Sequence, residues 1–142
     1  MRRWRSAVFM AHCGTANRIV AGRILLGQSP AAVEWFARAI DGQELLVSSR
    51  LLRTELTRLL RRGRCRWTGG GEITARLATI PVDHATLAGA EAIVPHVNPL
   101  DAIHPASALQ SGLDDLIIVR HARNMSHVAQ QLGFAVFDPV ER

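Results

Sequence analysis

The chain has 142 residues and a formal net charge of +5; hydrophobic residues make up 48% of it and charged residues 20%. This length suits one domain, the composition excludes wholesale disorder, and no apolar run approaches the roughly 18–20 residues of a membrane span. The only two cysteines, Cys13 and Cys65, are too few for a disulfide scaffold or a four-ligand zinc site. Two free thiols suit a reducing compartment, so we expect a cytoplasmic protein without a membrane partner.

The order of elements is regular from residue 28 onward, whereas residues 1–27 form an atypical N-terminal segment of uncertain structure. That segment is rich in arginine, and a short apolar stretch within it predicts a buried strand. Strands are predicted over residues 8–11, 45–47, 80–82, 116–119 and 135–137. Helices are predicted over residues 30–41, 48–62, 72–78, 86–94, 100–111 and 125–132.

Apolar runs separated by helices predict an α/β fold, with a mostly parallel sheet sandwiched by helices. Ligands bind beyond the carboxyl ends of the strands in such sheets, which singles out Glu55 and Asp101. Glu55 shares a helical face with leucines, where a carboxylate needs a partner; an ion pair with Arg58 is the alternative interpretation. Asp101 begins a helix, where a role as N-cap is the alternative.

Other polar residues predict no site. Asp138 and the pair Asp114 and Asp115 are expected in turns. The six histidines lack the spacing of a zinc motif, and the glycines at 69–71 lack the context of a phosphate-binding loop.

Charge is divided unevenly along the chain. Residues 1–66 hold 13 arginines against four acids, whereas residues 67–142 hold four arginines against eight acids. The basic half predicts contact with a polyanion such as RNA or DNA, and a solvated arginine face is the alternative.

Several local strings resemble PIN-domain ribonucleases of the VapC toxin type, from about residue 25 to the end of the chain. They are SSRLLRTEL at 48–56, LDAIH at 100–104, ASAL at 106–109, NM at 124–125 and LGF at 132–134. The resemblance implies a PIN-like domain over residues 28–142.

The resemblance also implies a chemistry. Members of the family gather three or four carboxylates that hold Mg²⁺ or Mn²⁺ for hydrolysis of RNA phosphodiesters. Glu55 and Asp101 match two of these positions, as catalytic and metal-binding residues. Arg120, His121 and Arg123 are expected to touch phosphate because of their location after the strand predicted at 116–119. The partners that the resemblance implies are RNA, a cognate VapB-type antitoxin and a second copy of the chain in a homodimer.

This chain departs from the family pattern at three places. No acid precedes Glu34, so the family's first aspartate is missing, and Ala122 stands where a later aspartate is usual. Pro105 replaces a leucine. Because proline lacks an N–H and restricts the residue before it, we expect His104 to be extended and Asp101 to be displaced.

Two functions follow from these observations. The first is the toxin of a VapBC-type pair, a Mg²⁺-dependent endoribonuclease. The second is a catalytically silent PIN-like module that binds RNA or antitoxin, and the number of carboxylates at the strand ends separates the two. A third interpretation is a general arginine-rich nucleic-acid binder, because seven arginines lie between residues 50 and 66.

Overall fold

The computed structural model describes residues 7–10, 29–62, 75–113, 115–120 and 123–139. Its strands are β1 (Ala7–Met10), β2 (Leu45–Ser49), β3 (Ala78–Ile80), β4 (Ile117–Val119) and β5 (Ala135–Phe137). Its helices are α1 (Pro30–Asp41), α2 (Arg50–Arg62), α3 (His84–Glu91), α4 (Pro99–Gln110) and α5 (Arg123–Gln131). Within the described residues, no helix combines the length and the apolar character needed to cross a membrane.

The five strands form one parallel sheet in the order β3-β2-β1-β4-β5. The central strand is β1, where Phe9 lies opposite Val47 of β2 on one side and Ile118 of β4 on the other. The predicted α/β class is therefore confirmed. Strand β4 lies beside β1 and not beside β3, so the strand order reverses between β1 and β4. Ligand sites in open parallel sheets lie at such a point of reversal.

Alternate residues of the strands pack into two cores, one on each face of the sheet. On one face, Val8, Leu46 and Val119 pack with residues of α1 and α2, including Leu52 and Leu56. On the other face, the strand residues Phe9, Val47 and Ile118 pack with residues of α4 and α5, which include Ala108, Met125 and Ala129. The sheet is thus covered on both faces, as its continuous apolar strands require.

Local signals explain several element boundaries. Ser29 caps α1, since its Oγ accepts a hydrogen bond from the Ala32 N–H at 3.2 Å, and Pro30 occupies the first helical turn. Gly133, between α5 and β5, has a φ of +91°, a backbone conformation that glycine adopts without the strain a side chain would bring.

Other predicted boundaries were wrong. The third strand spans Ala78–Ile80 rather than 80–82, because Pro81 has no N–H for the sheet, and the helix predicted over 72–78 cannot include residue 78. The second helix begins at Arg50, not at residue 48, since Ser48 and Ser49 continue β2. The expectations for Cys13, Cys65 and the glycines at 69–71 fall outside the described residues.

The expected disruption at Pro105 was also wrong. Helix α4 continues through Pro105, and His104 is helical rather than extended. A buried run at 104–108 surrounds the proline, so tertiary packing holds the helix despite the missing N–H.

Candidate functional site

The candidate site lies where α2 and α4 meet. These helices pack on opposite faces of the sheet, yet His104 Nε2 of α4 lies 2.7 Å from Glu55 Oε1 of α2. Helices on opposite faces can touch only past an edge of the sheet. Since α2 starts directly after β2 and α4 leads back to the start of β4, this is the edge formed by the carboxyl ends of the strands.

The Glu55–His104 contact has the geometry of an ion pair, and both side chains are largely buried. The side chain of His104 is fully buried and that of Glu55 is 17% exposed. Because a carboxylate only accepts, His104 Nε2–H is the donor in this hydrogen bond. Among the described side chains Glu55 pairs with His104 and not with Arg58, so the alternative pairing inferred from helical spacing was wrong.

Asp101 is held in the first turn of α4 and is only 4% exposed. Its N–H donates to Asn98 Oδ1 at 2.9 Å, and its Oδ2 accepts from Asn98 Nδ2 at 2.6 Å. Asn98 is therefore the N-cap, and Asp101 completes a reciprocal pair resembling a capping box. The alternative of Asp101 as the N-cap was wrong; its carboxylate lies one helical turn before His104.

An ion pair that the sequence did not predict joins the ends of β4 and β5. Arg120 Nη1 lies 3.7 Å from Asp138 Oδ2, and the two side chains are 15% and 7% exposed. Asp138 was expected to lie in a turn, and that expectation did not include an ion pair with Arg120. The strand-end rule that selected Glu55 would have found Asp138, because it directly follows the edge strand β5.

The other expected phosphate contacts are not described at the side-chain level. His121 and Ala122 lie outside the described residues, as does the side chain of Arg123. Arg120 does lie at the strand reversal beside β1, but its guanidinium is engaged by Asp138.

The donors at this edge can be tested against the requirements of magnesium. Mg²⁺ is commonly bound by one or two carboxylates, with water and substrate phosphate completing its shell. Glu55 and Asp101 supply hard oxygens of this kind and fit that pattern. Across the described ranges, however, no three His, Cys, Asp or Glu side chains are placed to hold a metal together.

Two cavities in the described part of the chain lie away from these carboxylates. One of about 380 Å³ is lined by residues at the amino ends of β4 and β5, including Leu116 and Ala135. The other, of about 360 Å³, lies beside α1 and is lined by Phe36, Ile40 and Arg76 among others. The candidate site at the carboxyl ends of the strands is therefore distinct from both cavities.

Comparison of the chain with protein-family models found no match, and no curated protein matches it. The resemblance to PIN-domain ribonucleases thus rests on the strings quoted above.

Proposed function

We propose that this protein is a PIN-type toxin of a VapBC-type toxin–antitoxin pair, an endoribonuclease that cuts RNA phosphodiesters with Mg²⁺ or Mn²⁺ held by Glu55 and Asp101. One observation carries the proposal. The Glu55–His104 hydrogen bond brings the helix turn of Asp101 next to Glu55, although 46 positions separate the two carboxylates in the sequence.

The surrounding residues give each carboxylate a defined role. Asn98 Nδ2 donates to the carboxylate of Asp101, whose backbone N–H donates to Asn98 Oδ1, and His104 orients Glu55 through one hydrogen bond. A divalent ion bound between them would lower the pKa of a coordinated water and polarise a phosphoryl oxygen. Fixed carboxylates suit that task, since they need no rearrangement before binding.

The proposal includes partners by resemblance. A VapB-type antitoxin would inhibit the site, and two copies of the chain would form the working unit. A cytoplasmic location is part of the proposal, in keeping with an RNA substrate and with a sequence that holds only two cysteines.

A second function is favoured by a specific observation. Glu55 Oε1 is engaged by a fully buried histidine, and the described residues bring no third ligand to the pair. With no acid before Glu34 and with Ala122 at the later position, the chain would then be a silent PIN-like module that binds RNA or antitoxin without cutting.

Metal-dependent RNA cleavage separates the two functions. Purified protein is incubated with structured RNA and Mg²⁺, Mn²⁺ or EDTA, in parallel with the double variant Glu55→Gln/Asp101→Asn. The matched control is Glu91→Gln/Asp41→Asn, which makes the same chemical changes at exposed helix ends.

The ribonuclease proposal predicts cleavage that requires the metal, survives in the control and falls at least about 100-fold in the double variant. Equal background cleavage by all three proteins, with or without metal, would contradict it. RNA binding that persists without cleavage would favour the silent module.

A further inference from the structure

The solvent face of α2 has an unusual composition. Five of its described side chains are exposed, and four of them are arginines, the fifth being Thr54. The arginines are Arg50, Arg53, Arg58 and Arg61. The opposite face is apolar, with Leu52 and Leu56 buried in the core, so α2 presents a single cationic stripe to solvent.

The stripe is long enough to contact several successive phosphates of a nucleic acid. From Arg50 to Arg61 the helix rises by about 16 Å at 1.5 Å per residue, and at about 100° per residue the four arginines fall within an arc of about 140° on one side of the helix. Guanidinium groups bind phosphate oxygens through paired hydrogen bonds, which makes such a stripe suitable for a row of phosphates.

Within the described residues, no acid is paired with an arginine of the stripe. Among the described side chains, Arg38 pairs with Glu34 and Arg120 pairs with Asp138, whereas no carboxylate forms an ion pair with an arginine of the stripe. Arg50 does contact Thr54 Oγ1 at 3.2 Å, within the stripe itself. Their charge is therefore available to an anionic partner.

The location of the stripe links it to the candidate site. Helix α2 starts at the carboxyl end of β2, and Glu55 lies on the same helix three residues before Arg58. A polyanion that follows the stripe toward the amino end of α2 would reach the sheet edge where Glu55 and Asp101 lie.

We infer that the arginine stripe of α2 binds the phosphate backbone of single-stranded RNA and directs it toward the sheet edge. The choice of RNA rests on the proposed function, whereas the anionic character of the ligand rests on the stripe alone. An acidic protein segment is less suited, because docked helices rely on apolar anchors and the exposed side chains of the stripe are only arginine and threonine.

Salt-dependent RNA binding tests this inference without any need for cleavage. The probe is a fluorescent 20-nucleotide oligouridine with 2′-O-methyl groups, which block hydrolysis, and binding is measured in EDTA at several salt concentrations. The variant Arg53→Gln/Arg61→Gln is compared with Arg38→Gln/Arg76→Gln, which lowers net charge equally at exposed sites outside the stripe.

Each lost phosphate contact on a single strand lowers the slope of log K against log salt by about 0.7, so the stripe variant should lose about 1.4 and bind roughly 25-fold more weakly near 0.1 M salt. The control should stay within about twofold of the wild type. Equal losses in both variants would show that net charge alone governs RNA binding, and would overturn the inference. Unchanged binding in both variants, or no binding by the wild type, would overturn it as well.

One further comparison completes the test. Polyglutamate that competes as well as RNA, with the same dependence on the stripe, would identify a docking surface for an acidic protein and overturn the RNA assignment. Because binding is measured in EDTA with a probe that cannot be hydrolysed, its outcome does not depend on whether the protein cleaves RNA, and failure of the proposed function is distinguished from failure of this inference.

Discussion

At the scale of single residues, the contact between Glu55 and His104 organises the candidate site. It connects two helices that belong to different cores, and the histidine has no access to solvent. A buried hydrogen bond to a charged group is worth more than an exposed one, because a partner that loses it stays poorly solvated. His104 is therefore a positioning residue for the carboxylate of Glu55.

Replacing this histidine should be costly for stability. We expect His104→Ala to lower the free energy of unfolding by roughly 2–4 kcal/mol, since it removes both a charged hydrogen bond and buried volume. The matched control is His127→Ala, an exposed histidine on α5, which should cost less than about 0.5 kcal/mol. Urea unfolding measures both, and equal losses would show that the buried contact contributes nothing of its own.

At the scale of elements, helix caps show which boundaries could be predicted and which could not. Ser29-Pro30 is a recognised start signal, and α1 begins there as expected. Asp83 is an equally good capping residue, but the apolar spacing placed the helix start at residue 86, whereas α3 begins at His84. Tertiary context decides such cases, since the buried side chain of Thr86 anchors the cap that Asp83 provides.

The cap of α3 makes stability depend on pH. The backbone N–H of Thr86 and then its hydroxyl donate to Asp83, and together they lower the pKa of that carboxyl below its ordinary value of 3.8. Because the folded state favours the charged form, the stabilisation is fully present above the ordinary pKa and is lost as the pH falls through the lower folded-state pKa.

The variant Asp83→Asn keeps an acceptor for the cap but cannot ionise. We expect the wild type to be more stable than this variant at about pH 6 and the difference to be smaller at about pH 2, because the stabilisation is lost progressively as the pH falls below the ordinary pKa of 3.8 and through the lower folded-state pKa. Thermal unfolding at the two pH values measures it. A difference that stays constant across this range would show that the charge of Asp83 does not act through the cap.

At the scale of the whole molecule, the sequence predicted the α/β class but could not predict the strand order. Apolar runs identify strands, whereas their neighbours depend on contacts between distant residues, such as Phe9 with Val47 and Ile118. Glu55 could be chosen because it follows a strand, and Asp101 because it begins a helix, whereas the hydrogen bond between Glu55 and His104 could not be predicted. Spacing along one helix suggested Arg58 instead, because it reports only local neighbours.

The sheet order places a candidate ligand site at this edge. The order reverses between β1 and β4, and the helices of the two faces meet past the strand ends through Glu55 and His104. The arginine stripe of α2 starts at the same edge. We therefore propose that Glu55 and Asp101 form one metal-binding unit beside a surface for RNA.

Manganese binding tests that claim most directly, because it is independent of cleavage. Free Mn²⁺ is followed by electron paramagnetic resonance during titration of the wild type, of Glu55→Gln and Asp101→Asn, and of the exposed control Asp41→Asn. We predict one site in the wild type and in the control, with affinity lowered about tenfold or more in each of the two site variants. Equal binding by all four proteins, or its absence in the wild type, would contradict the claim that these two carboxylates hold a metal.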